Sequence, residues 1–174
     1  MPLAVTHVLL TVILVGLYRD HVTRHKRYFT LHTIFIAGIA GLISDIDIPI
    51  RIVAQLFNWQ VYWLFQHGGI THTPLFALIF FIPAIILWKR KKHKQSMYLF
   101  VITFGIMFHI FLDYFLGGGD YYGIMWLFPF SLIQYKIHLL DMFGLNTLPE
   151  SMDALLLLGW LYYIEVKHKI SNFI

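Results

Sequence analysis

Cysteine is absent from the 174 residues, which excludes disulfides, thiolate metal sites and cysteine nucleophiles. Charge is scarce. Asp, Glu, Lys and Arg make up 13% of the chain, about half the usual share in soluble domains. The Ser nucleophile motif, the P-loop, the dinucleotide fingerprint and the HExxH helix are all missing, which argues against a serine hydrolase. No internal repeat or low-complexity tract divides the chain, and its length suits a single domain, residues 1–174. The opening MPLAVTH has no basic residue ahead of the first apolar run, the reverse of a secretory signal.

What is present is apolar. Hydrophobic residues account for 59% and the mean hydropathy is +0.70. Five apolar runs, roughly 3–18, 29–44, 74–88, 97–116 and 153–166, predict an all-α integral membrane protein with about five transmembrane helices. Several are shorter than the ~20 residues of a comfortable span, which local bilayer thinning and Trp or Tyr anchors accommodate. Residues 49–65 carry Ile52, Val53, Leu56 and Phe57 at helical spacing. Residues 131–143 set Ile133, Ile137 and Leu140 against Gln134, His138 and Asp141. Both segments predict interfacial amphipathic helices lying in the headgroup layer. Pro83 predicts a kink in the third span.

The net charge of +4 matters less than its distribution. If the runs alternate across the membrane, all but Arg51 and Lys136 of the thirteen basic residues fall on one side. They sit in RDHVTRHKRY (19–28), KRKKHK (89–94) and the C-terminal tail. The positive-inside rule puts that side in the cytoplasm, the N-terminus outside and the C-terminus inside. These basic runs read as topogenic, so no nucleic-acid partner is expected. His21, His25, His32 and His93 fall on the same side and read as solvated or interfacial.

The opposite side gathers Asp45, Asp47, Asp113, Asp120, Asp141, Glu150 and Asp153, with His7, His67, His72, His109 and His138. His7 lies in the outer turns of the first helix. Asp45 and Asp47 lie in SDIDIP, where Pro49 disfavours helix in the residues just before it; both carboxylates are expected on a terminating turn. In HGGITHTP the glycines stop any helix, Thr73 reads as an N-cap and Pro74 as the first helical residue. His72 is thereby held just ahead of a helix N-terminus. In FHIFLD, His109 and Asp113 are four apart and share one helix face.

Taken singly, each has a plain reading: a packing histidine, a cap, a solvated loop charge. A lone carboxylate in lipid is harder to dismiss, because it costs about 2.5–3.5 kcal/mol to insert. Together, His7, Asp45, Asp47, His67, His72, His109 and Asp113 lie at one depth on one face. Imidazole with carboxylate suits zinc, manganese or iron, and two carboxylates can bridge a pair of metals.

THVLL near the N-terminus, SDID, HGGITHT, FHIFLD and YYGIMWLFPF occur in an order that resembles the YdjM-like, LexA-regulated, membrane-bound metal-dependent hydrolases. The resemblance covers about residues 1–130. It points, position by position, to the same seven residues. Ser44 stands where the family pattern has Pro, and Gly68 where it has an Arg that would contact a phosphate. The order His, Asp, His, His-x-x-x-Asp also resembles, more loosely, part of the zinc-dependent phospholipase C arrangement, without a later His-x-x-x-Glu.

The resulting expectation is a membrane-bound metal-dependent hydrolase working at the outer face on a lipid or lipid-linked phosphoester. One or two divalent ions, zinc or alternatively manganese, would be held by His7, Asp45, Asp47, His72, His109 and Asp113. His67 and Asp45 are the expected catalytic acid and base, with Thr71 and His138 as candidates for substrate binding. The expected partners are the bilayer and its lipids. A metal or proton transporter is the alternative of another class, although FIAGIA and LIFFIPAIIL offer almost no polar groups along a pathway. A scaffold with a structural metal is the third reading.

Overall fold

The computed structural model describes residues 4–23, 28–59, 62–117, 122–137, 139–144 and 148–168. Within these the chain is helical: α1 (Ala4–His21), α2 (Leu31–Ile43), α3 (Asp47–Leu56), α4 (Pro74–Lys89), α5 (His93–Leu116), a short α6 (Leu139–Met142) and α7 (Leu148–His168). The central helix is α5, which packs against α2 on one side and α4 on the other; α1 covers α2, and α7 leans on α1.

Small residues set how closely these helices approach. A Cβ at Gly105 of α5 would come within 2.4 Å of the Ala40 Cβ on α2, and one at Gly41 within 2.7 Å of the His7 carbonyl oxygen on α1. Such seams let backbones approach where lipid provides no hydrophobic drive. Around them Ile106, Ile110 and Ile124 are fully buried. The outer faces stay apolar: Phe35, Ile79 and Ile82 are all more than half exposed, as expected of side chains that meet acyl chains.

Among the described residues, two helices are long and apolar enough to cross a membrane: Leu31–Leu56, and α5. The apolar α4 is shorter. Five spans are thus more than length and composition establish. The outermost helices are diluted by charge, with Arg19 and Asp20 in α1 and Glu150, Asp153, Glu165 and Lys167 in α7.

Two local expectations are corrected. Pro49 does not end the second helix. The backbone passes through a 3-10 turn, Ser44–Ile46, and continues directly as α3. Pro49 falls in the first turn of α3, where its missing N–H leaves no hydrogen bond unmade. The helix expected over 49–65 is therefore α only to Leu56, followed by a turn and a 3-10 stretch, Tyr62–Phe65. Nor is 131–143 one amphipathic helix. Tyr135 exchanges backbone hydrogen bonds with Ile124 at 2.9 and 3.0 Å, and Ile137 N–H donates to the Tyr114 carbonyl, leaving only Leu139–Met142 helical. A Cβ at Gly123 would lie 2.5 Å from the Tyr135 carbonyl oxygen, so the extended pairing needs glycine there. Pro83 lies inside a helix assigned continuously from Pro74 to Lys89.

Candidate metal centre

The sequence signals at one end of the bundle converge. On α5, His109 and Asp113 occupy one face as their spacing requires, with His109 Nε2 3.2 Å from Asp113 Oδ2. Asp45 lies in the 3-10 turn after α2, and Asp47 opens α3. The loop before α4 folds as expected: Thr73 Oγ1 accepts from the Phe76 N–H at 3.3 Å, and Pro74 opens the helix. Gly68 has a φ of 85°, a conformation that favours glycine. A further 3-10 turn, Ile70–His72, presents His72 to the centre.

Asp113 is the hub. Its Oδ1 lies 3.3 Å from His7 Nε2, while Oδ2 lies 3.4 Å from His72 Nε2 and 3.5 Å from His67 Nε2. His109 Nε2 is also 3.2 Å from His72 Nε2 and 3.5 Å from Asp45 Oδ1, which is 3.8 Å from His72 Nε2. Asp47 Oδ2 approaches Nδ1 of His67 at 3.4 Å and of His72 at 3.5 Å. The His7 ring stacks on His109 with centroids 3.8 Å apart. All seven residues predicted as ligands or catalytic groups are therefore within one cluster.

Burial divides them. His7, Asp47, His72, His109 and Asp113 have side chains no more than 2% exposed, whereas His67 and Asp45 are 16% and 19% exposed. Burial disfavours the charged form of His67, but the Asp113 and Asp47 carboxylates outweigh it and raise its pKa to about 9.

Polar neighbours outside the cluster orient its rings. His109 Nδ1 donates to the Gly41 carbonyl oxygen at 2.7 Å. A carbonyl can only accept, so a proton sits on Nδ1, and the ring is held with Nε2 facing Asp113 Oδ2. The Thr71 hydroxyl lies 3.1 Å from His72 Nδ1. Metal-ligating imidazoles are commonly held in this way. Thr71 is buried and its described polar contact is with His72. Thr6 Oγ1 donates to the Asp153 carboxylate, joining α7 to α1 beside His7. Gly41 and Asp153 carry no sequence signal for these roles: one contributes only a backbone carbonyl, and the other is a single acid at a helix start. His138 lies outside the described residues.

These residues fit a divalent metal. Both carboxylate oxygens of Asp47 and of Asp113 are buried without a well-formed hydrogen bond among the described residues, a costly state for charged groups unless a cation meets them. Zinc bonds of about 2.0–2.1 Å imply tetrahedral edges of about 3.3 Å between ligand atoms. The contacts joining His72 Nε2, His109 Nε2, Asp113 Oδ2 and Asp45 Oδ1 run from 3.2 to 3.8 Å. The ligand atoms also form two compact groups, His7/His109/Asp113 and Asp45/His67/His72. His67, expected only as an acid or base, thus also stands at ligand distance.

Fold and site define the class: an all-helical membrane protein whose buried His/Asp cluster could hold a metal ion. More particularly, the chain belongs to the YdjM inner membrane protein family, which it matches over residues 1–169. No curated protein and no solved structure matches it. The looser likeness to zinc-dependent phospholipase C finds no support.

Proposed function

We propose that this protein is a metal-dependent hydrolase of the membrane, acting at the extracytoplasmic face on a lipid or lipid-linked phosphoester. The observation that carries the reading is the convergence of His72 Nε2, His109 Nε2, Asp113 Oδ2 and Asp45 Oδ1, five of whose six pairwise separations run from 3.2 to 3.8 Å. Five membrane crossings by α1, α2 with α3, α4, α5 and α7 accompany it, with the N-terminus outside and the basic loops in the cytoplasm.

His7, Asp47, His72, His109 and Asp113 would hold one or two ions, zinc or manganese, joined by Asp45 or His67 on the open side. Asp113 presents its two oxygens to different imidazoles, which suits a carboxylate shared by two ions. A bound divalent ion would supply an activated water and polarise the phosphoryl oxygen. We assign proton transfer to His67, whose Nδ1 lies 3.8 Å from Asp45 Oδ1, because these two side chains are the more exposed members. Thr71 and the Gly41 carbonyl act through His72 and His109 by fixing the rings. A lipid substrate suits a site at the end of an apolar bundle, which it reaches by lateral diffusion.

The test begins with metal content per chain in detergent-purified protein, wild type beside His72→Ala and Asp113→Asn. About one or two ions in wild type, diminished in both variants, supports the centre. Release of phosphate or a headgroup from bilayer phosphoesters, lost in the same variants, supports the reaction. Wild type that stays metal-free after loading with zinc and manganese refutes the proposal. Turnover confined to water-soluble esters refutes the substrate class.

A further inference from the structure

The end of the bundle away from the metal centre carries two adjoining recesses. One is an apolar groove of about 470 Å³ between α1 and α5, lined among others by Leu14, Tyr18, Phe29, Met97, Phe100 and Phe104. The other is a polar recess of about 510 Å³ formed by Tyr28 and the run Lys91–Gln95. They join through the chain itself. Tyr28 borders the polar recess and Phe29 the groove. On α5, His93 borders the first, while Met97, Phe100 and Phe104 follow on the same helix face at spacings that keep them aligned. His93 and Asp113 are far apart on α5, on the order of 30 Å at the helical rise, so this site is separate from the centre.

From these features we infer that the chain holds one anionic phospholipid from the leaflet on its basic side. Its phosphate lies among Lys91, Lys92 and Lys94, and one acyl chain fills the groove. The three lysines are exposed, so a headgroup at the surface can reach their ammonium groups. The groove wall is aliphatic and aromatic, matching a hydrocarbon chain and offering a polar ligand nothing. Basic recesses between membrane helices recognise anionic headgroups by the same combination. A zwitterionic lipid fits the groove equally well but gains less from the lysines, so charge sets the preference.

The experiment equilibrates the detergent-solubilised full chain with equal amounts of phosphatidylglycerol and phosphatidylcholine of the same chain length, and counts retained lipid by native mass spectrometry. Glycerol 3-phosphate serves as the soluble headgroup. The expected result is one retained phosphatidylglycerol, with no binding of glycerol 3-phosphate at equal concentration. Each lysine is worth about a fivefold preference, so Lys91→Gln, Lys92→Gln and Lys94→Gln together should abolish the discrimination. Leu14→Trp, which fills the groove from an exposed position on α1, should lower retention with the lysines intact. Unfolding temperatures of both variants close to wild type establish that they fold. Equal retention of the two lipids by wild type overturns the inference, as does retention unaffected by Leu14→Trp. Binding of glycerol 3-phosphate as strong as that of the lipid would make this a free-phosphate site and overturn it too.

Discussion

His109 Nδ1 donates to the backbone carbonyl of Gly41 across the α2–α5 seam at 2.7 Å. That one bond ties the helix packing to the chemistry of the site. The glycine allows α1 to approach α2, and its carbonyl fixes the face that His109 turns toward Asp113. Helix spacing and imidazole orientation are therefore set by the same residue.

Gly41→Ala is expected to damage both. The new methyl group would sit 2.7 Å from the His7 carbonyl oxygen, forcing α1 and α2 apart. Overpacking of this kind costs about 1–3 kcal/mol. Thermal unfolding in detergent should show the loss, accompanied by a reduced content of the metal proposed for the centre. Unchanged values for both would contradict the seam.

Thr71→Val tests the orientation of His72 without touching a ligand. The substitution keeps the volume and removes the hydroxyl 3.1 Å from Nδ1. Loss of such a supporting partner typically weakens metal affinity about 10–100-fold. Competition with a chromogenic chelator measures it, and an affinity equal to wild type would remove Thr71 from the centre.

Chelation should destabilise the protein. An ion bound only by the folded state adds about 2.7 kcal/mol when present at a hundred times its dissociation constant. The melting temperature is expected to fall with excess chelator and to recover with zinc. In Asp113→Asn it should respond to neither treatment.

Ser96→Ala separates packing from the site. Ser96 Oγ is buried and donates to the Ala84 carbonyl at 2.7 Å, holding α5 to α4 at the opposite end. Its removal should cost about 0.6–1.5 kcal/mol and leave metal content as in wild type. Loss of metal in this variant would mean that the bundle transmits strain along its whole length.

Much of the site was legible in the sequence because its signals are local. The i,i+4 spacing of His109 and Asp113 fixes a shared face on any helix, and Thr73–Pro74 specifies a helix start that leaves His72 just outside. The apolar runs required helices, since lipid leaves backbone groups no other partner. The bends were less legible. Pro49 disfavours helix in the residue before it and is tolerated in a first turn; the folded chain takes the second course, with Asp47 Oδ2 3.4 and 3.5 Å from the rings of His67 and His72. Ile133, Ile137 and Leu140 satisfy a helical period, yet the backbone of Ile124 captures Tyr135 in an extended pair.

The sequence by itself determined the apolar helices, the gathering of acids and imidazoles toward one end, and the pairing of His109 with Asp113. The tertiary structure decided which atoms meet: Asp113 with imidazoles from α1, α5 and the loop before α4, Asp45 and His67 on the more open side, and Gly41 and Thr71 behind the rings. Spacing along a helix can be read from residue order. Contacts between helices depend on where two glycines allow backbones to approach, and that distance exists only in the folded bundle.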